Sequence, residues 1–223
     1  MDLTNYIPYE GFSNFESKDA VEISHQFFET MKTRRTIREF TTQPVEKEVI
    51  YNAIRSAGCA PSGANAQPWF FCAVFDQKIK RKIRLAAEEV EASFYEKRAG
   101  ENWLSDLEHL GTDALKPHLE KAACIIPVFS RSKIIEKNSS SETRAYYQLE
   151  STCLATGILL TSLHKSGLAT LTHTPKPMRF LNEILGLDKS YKPVMIVVAG
   201  YPERPVLVPN ISRRPLDEIC RTY

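Results

Sequence analysis

Apolar residues recur at helical spacing over residues 17–32, where Val21, Ile23, Phe27, Phe28 and Met31 predict an amphipathic helix with its stripe turned inward. After a break at 34–40, residues 45–57 predict a second helix, with Glu46 and Glu48 at the positive end of its dipole and Gly58 as its stop. Residues 60–67 hold the proline, serine, glycine and asparagine of a turn, and 68–75 are rich enough in aromatics and valine for a strand. A long charged helix is expected over 78–97, with Ile83, Leu85, Ala86, Val90 and Phe94 inside. Residues 124–129 read as a strand, 138–141 as a polar loop, and 150–164 as a nearly uncharged helix suited to the centre of a protein or dimer. Gly167 caps that helix. A short strand over 168–171, a short helix over 180–185 and a buried strand over 194–199 ending at Gly200 complete the pattern. The N-terminal residues 1–16 have no period and suggest an extended arm that packs on something else.

This order is an alternation of helices and strands. Residues 101–118 are polar, with Trp103, Leu104, Leu107 and Leu110 spaced as a short amphipathic helix, and look like a lid inserted into the core fold. The whole lid region spans about 91–118. With 223 residues and 43% hydrophobic content, the chain suits one elaborated domain over 1–223. A formal net charge of +2, with acids and bases interspersed, argues against nucleic acid or an anionic membrane as partner. The five cysteines, Cys59, Cys72, Cys124, Cys153 and Cys220, are widely spaced and form no CxxC pair, so they read as reduced, buried and structural. No targeting or membrane-spanning run is evident, and a soluble cytoplasmic protein is expected.

Candidate chemistry lies in a few segments. Glu91 and Tyr95 are four apart on one helical face, and Lys116 can complete a clamp for the ammonium and carboxylate of a free amino acid. Arg34, Arg35, Thr36 and Arg38 gather guanidinium groups suited to a phosphate, although such a cluster is equally a solvated basic turn. The small-residue loop Ala60-Pro61-Ser62-Gly63-Ala64-Asn65 lets backbone amides approach a planar ligand, or is an ordinary turn. In GLATLTHTP, Thr170, Thr172, His173 and Thr174 crowd donors at a strand end, though threonine is also a plain β-former. Arg213 and Arg214 in ISRRPL offer a further anion contact or a surface charge pair. His25, His109, His118 and His164 show no ligand spacing, and no metal site is expected.

Taken in order, RRTIREF, APSGANAQPW, GLATLTHTP and VVAGYP before a basic tail resemble the nitroreductase superfamily of FMN-dependent enzymes across about 200 residues. Within it the chain resembles the iodotyrosine deiodinases, whose substrate-binding glutamate, tyrosine and lysine fall on Glu91, Tyr95 and Lys116. The resemblance implies an α+β fold with a central mixed sheet flanked by helices, and a domain-swapped homodimer with FMN at the interface and a swapping arm at about 203–223. It places Arg34, Arg35, Thr36 and Arg38 on the phosphate and ribityl end of FMN, with Arg213 as a further contact to the cofactor. Ser62, Gly63, Leu171, Thr172 and His173 fall near the ring system, and Ala64 near the substrate phenolate.

The implied chemistry is reductive dehalogenation of a halotyrosine stacked on the flavin, in two one-electron steps, with the electron donor open between NAD(P)H and a reductase. One position departs from the pattern. His173 stands where these enzymes carry a threonine that bonds flavin N5; an imidazole there either weakens deiodination or shifts the flavin toward two-electron chemistry, or else the ring or its backbone N–H still donates to N5. Alternative readings are a broad-range FMN-dependent nitroreductase, which would not need the clamp, and a flavin-holding or ligand-sensing protein without turnover.

Overall fold

The computed structural model describes residues 6–9, 11, 16–97, 112–135 and 142–223. The expected amphipathic helix around Trp103 and the polar loop at 138–141 lie outside the described residues. Contacts divide the chain into two units, Met1–Arg34 and Arg35–Tyr223.

In the first unit, helix α1 (Ser17–Lys32) has the predicted bounds. The expected inward stripe is corrected: Val21, Ile23, Phe27 and Phe28 are all exposed and no residue of the helix is buried. A single helix has no second element within its own unit against which to bury an apolar face.

The second unit is built on a four-stranded sheet in the order β1-β2-β6-β5. Its strands are β1 (Trp69–Phe71), β2 (Cys124–Arg131), β5 (Ala169–His173) and β6 (Tyr191–Gly200), and a hairpin of β3 (Lys133–Ile135) and β4 (Glu142–Arg144) stands apart. The helices are α2 (Lys47–Ala57), α3 (Gln77–Lys97), α4 (His118–Lys121), α5 (Gln148–Lys165), α6 (Phe180–Leu185) and α7 (Leu216–Ile219). All three strand pairs of the main sheet are antiparallel. The parallel component of the expected mixed sheet is confined to one bridge, Thr36 to Thr170.

Helices cover both faces of the sheet, which explains why its central strands are apolar without alternation. On one side Ile126, Val128, Val197 and Ala199 pack with Ile50, Ala53 and Ala57 of α2 and Leu159 and Leu163 of α5. On the other Ile125, Phe129, Ile196 and Val198 pack with Ile83 and Ala87 of α3 and Leu181 of α6. Successive residues of β2 and β6 thus enter opposite cores, as the two-residue period of a strand requires.

Local chemistry explains several boundaries. Helix α3 starts one residue before the expected Lys78 because Asp76 Oδ1 accepts the Ile79 N–H at 2.9 Å, a side-chain cap. Its inner row is Lys80, Ile83 and Ala87, and Leu85, expected inside, is exposed. The strand predicted over 68–75 is regular only through Phe71; Cys72 N–H still reaches Pro127 O at 3.0 Å and Val74 bridges Ile125. Gly167 takes φ +79° beyond α5, the left-handed stop expected of it. Helix α5 buries Ala155, Leu159 and Leu163 but leaves Leu154 exposed.

The cysteines are all free thiols, as expected, yet burial holds only in part. Cys124 is buried and Cys72 half-buried, while Cys59, Cys153 and Cys220 are exposed. Cys59 falls on the surface just past the end of α2, and Cys220 in the exposed tail; apolar sequence neighbours do not decide burial at such positions. No helix among the described residues is long and apolar enough to cross a membrane.

Candidate functional site

The C-terminal half of α3 forms one wall of a cavity of about 500 Å³, with Val90, Glu91, Phe94 and Tyr95 facing it. Glu91 and Tyr95, one turn apart, do share a face. Thr112 and Lys116 form a second wall, and Thr172, His173 and Thr174 at the end of β5, with Lys176, form a third. Five sequence-predicted residues, Glu91, Tyr95, Lys116, Thr172 and His173, therefore meet around one space.

Lys116 is the centre of this cluster. It is 3% exposed, and its ammonium lies 3.5 Å from Glu91 Oε2 and 3.2 Å from Thr112 Oγ1, with a further bond to the Asp113 carbonyl. The ammonium also stands 6.0 Å from the Tyr95 ring centre, within cation–π range. Burial pulls the Lys116 pKa below the ordinary lysine value, and the Glu91 charge opposes that pull. Burial and the same Glu91 charge raise the Tyr95 phenol, against a hydrogen bond with Thr112. The cluster thus holds a carboxylate, an ammonium and a neutral phenol ready to exchange partners with a zwitterion.

His173 is joined by a histidine that spacing did not reveal. His118, 5% exposed at the start of α4, meets His173 edge to face, with ring centres 6.1 Å apart. Burial, followed by the positive charges of Lys116 and Arg38, lowers His118 to about 4. Burial, then Lys116, His118 and Arg38, lowers His173 to about 3. Both rings are neutral at physiological pH, and the Nε2 atom of each is buried with no hydrogen-bond partner among the described residues. A buried ring nitrogen without a partner is costly unless a ligand supplies one. Only proximity in the folded chain marks His118, so no motif in the sequence could have found it.

The basic segment reaches this region through the sheet. Ile37 N–H donates to Thr170 O at 3.1 Å, and Thr36 forms the parallel bridge to the same residue. Arg38 stands close enough for its charge to act on Tyr95, Lys116, His118 and His173. Arg35 Nη2 donates to Pro209 O of the C-terminal tail. Leu171 packs in the core and does not line the cavity. Arg34 ends the first unit, its N–H bonded to Met31 O at 3.2 Å.

Ser62, Gly63, Ala64 and Arg213 do not line the cavity. The first three occupy a tight turn between α2 and β1, where Ser62 Oγ accepts the Gln67 N–H at 3.0 Å. A Cβ on Gly63 would come within 3.0 Å of the Tyr147 ring and 3.2 Å of Tyr146 O, so only glycine fits without displacement. Ala64, Asn65 and Gln67 have φ of 52°, 52° and 46°, left-handed values that cost most residues free energy. Arg213 lies on the exposed tail.

These features fit FMN on two grounds visible here. A neutral imidazole with an unpartnered, buried Nε2 stands in the cavity wall, suited to a heteroatom of a planar ring. Arg35 and Arg38 are held beside β5, where their guanidinium groups suit a phosphate.

The pattern of the Nitroreductase family matches residues 31–201. The chain is 41% identical over 218 residues to the iodotyrosine deiodinase of Haliscomenobacter hydrossis, covering 98% of this chain and 97% of that protein. It is 38% identical over 218 residues to iodotyrosine deiodinase 1 of Homo sapiens, covering 97% and 75% respectively. Among solved structures, oxidized iodotyrosine deiodinase bound to FMN and 3-iodo-L-tyrosine superposes with a TM-score of 0.75 at 31% identity, over 85% of this chain and 96% of that one. A BluB-like flavoprotein from Clostridium difficile 630, with a TM-score of 0.64 and 20% identity over 94% and 100%, shares the fold alone.

Proposed function

Because this chain belongs to the nitroreductase family, and within it to the iodotyrosine deiodinases, we propose that it is an FMN-dependent oxidoreductase that reductively dehalogenates halotyrosines, iodotyrosine giving tyrosine and iodide. The observation that carries the substrate assignment is the buried Glu91–Lys116 pair beside Tyr95. FMN, when bound, supplies the two electrons, and one proton takes the place of the departing halide on the ring.

The chain's own groups bind, orient and exclude water. Lys116 takes the substrate carboxylate, and Glu91 takes the ammonium, so that each buried charge keeps an opposite partner throughout the exchange. A ligand lacking either charge leaves Glu91 or Lys116 uncompensated in a poorly hydrated cavity. Arg34, Arg35, Thr36 and Arg38 are assigned to the phosphate and ribityl end of FMN, and Arg213 to a further contact with it. Ser62, Gly63, Leu171, Thr172 and His173 are assigned to its ring system, and the Ala64 amide to the substrate phenolate. Closure of the lid over about 91–118 would keep water from the reacting face.

We assign the chain a homodimeric state with the arm at about 203–223 exchanged between copies of one nitroreductase-like domain. Leu207, Ile211, Leu216 and Ile219 of the tail, and Leu154 of α5, are exposed apolar side chains that a second copy would cover. The second reading, a broad-range nitroreductase, is favoured by His173, whose neutral ring replaces a hydroxyl donor.

The test is anaerobic: reduce the FMN-loaded protein, mix it with 3-iodotyrosine, and follow flavin reoxidation and free tyrosine together. Reoxidation with stoichiometric tyrosine is expected. Binding without reoxidation, alongside fast reoxidation by a nitroaromatic, would replace the dehalogenase reading with the second one.

A further inference from the structure

Helix α3 grips Lys116 at two points. Its ammonium meets Glu91, and one turn earlier on the helix Glu88 Oε1 accepts the Lys116 backbone N–H at 2.7 Å. The other oxygen of Glu88 accepts from Arg84 Nη1 at 2.6 Å, and Arg84 Nε donates to Glu120 Oε2 of α4 at 2.7 Å. The side chains of Glu88, Arg84 and Glu120 are only 14%, 22% and 26% exposed. One guanidinium therefore ties α3 to α4, and its rigid fork fixes the direction in which Glu88 presents its free oxygen. That oxygen meets the main-chain N–H of Lys116, two residues before α4.

The arrangement matters most when a ligand arrives. If the ammonium of an amino acid takes Glu91, the Lys116 side chain loses that contact and retains Thr112 and the Asp113 carbonyl, both in the short run before it. Thr112 in that run is hydrogen-bonded to Tyr95 of α3 through its side chain, whereas the Glu88 bond holds the Lys116 main chain itself. We propose that Glu88, steered by Arg84, is a positioning residue for the amino-acid clamp: it anchors the Lys116 main chain so that the ammonium stays in the cavity while Glu91 changes partner. This inference rests on the amino-acid reading of the cavity given above.

The test compares two probes on the FMN-loaded full chain by calorimetry: 3-iodotyrosine, which uses the clamp, and 2-iodophenol, which does not. Glu88→Ala is expected to weaken 3-iodotyrosine about tenfold while 2-iodophenol affinity and FMN content stay within twofold. Glu88→Gln, which keeps a carbonyl acceptor, is expected to recover most of the loss. A readout that needs no ligand is hydrogen exchange at the Lys116 amide, expected to be slow in the wild type and at least tenfold faster in Glu88→Ala. Should Glu88→Ala fail to fold, Arg84→Gln removes the steering charge and is expected to show both effects, three- to fivefold. Unchanged amide exchange, or an equal loss of both probes, would overturn the inference. A wild type that binds no 3-iodotyrosine, yet loses Lys116 amide protection in Glu88→Ala, would sink the amino-acid reading and leave the anchor standing.

Discussion

On one side of the site Glu91, Tyr95 and Lys116 stand on α3 and the run into α4, with Lys116 paired to Glu91, within cation–π range of the Tyr95 ring, and anchored from behind by Arg84 and Glu88. On the other, Ser62, Gly63 and Ala64 ride a surface turn and Arg213 an exposed tail, neither lining the same cavity. Helix packing completes the first region within one chain. The second is made of loops, whose geometry depends on what they bind, here a cofactor and the proposed second copy. In the proposed reading the amino-acid side is preformed, and the flavin side is completed by the cofactor and a second copy.

The comparison breaks most directly at Lys116. Lys116→Ala removes a buried charge-assisted contact and strands Glu91, and is expected to weaken halotyrosine binding by at least about 30-fold. FMN retention should hold within twofold, both read by calorimetry. On the flavin side the expectation is reversed. Arg35→Ala, measured as FMN remaining after gel filtration, is expected to weaken FMN retention by about tenfold, the order of one lost charge-assisted bond. The Lys116 anchor, read as exchange of the amide N–H bonded to Glu88 in the apoprotein, should be unaltered.

His173 lines the cavity beside the clamp and is assigned to the flavin ring. His173→Thr is expected to restore two separable one-electron stages to a reductive titration carried out with a halotyrosine bound. An identical titration curve in both proteins would remove any redox role for the imidazole. The smallest effect concerns acid stability. His118 and His173, at about 4 and about 3 when folded, bind protons more readily in the unfolded chain, near 6.5. Their contribution is therefore complete above about pH 6.5 and lost as pH falls toward those folded values. The pair His118→Asn, His173→Thr should lose less melting temperature between pH 7.5 and pH 5 than the wild type, by on the order of 3 °C.

Much of the second unit was legible because its signals are local. The stop of α2 at Gly58, the bounds of α6 and the apolar β2 all follow from period and punctuation. Leu85 was misplaced because a charged helix with scattered apolar positions admits more than one inner row, and Lys80, whose Nζ reaches the Ala122 carbonyl at 2.6 Å, takes a place that polarity alone assigns to solvent. The clamp residues were found through resemblance, since Lys116 lies far from Glu91 in sequence and only the return of the chain to α3 joins them. His118, Glu88 and Arg84 escaped notice for the same reason: their partners are tertiary.

The turn carrying Ala64 has a practical consequence for anyone seeking a hardier form of this protein. Three non-glycine residues within four positions hold left-handed backbone, and glycine at Gln67 would relieve about 1 kcal/mol of that strain. If the Ala64 amide meets the substrate phenolate as proposed, the same relaxation would loosen its aim, and the easiest gain in heat resistance would come at a cost in selectivity for the phenolate.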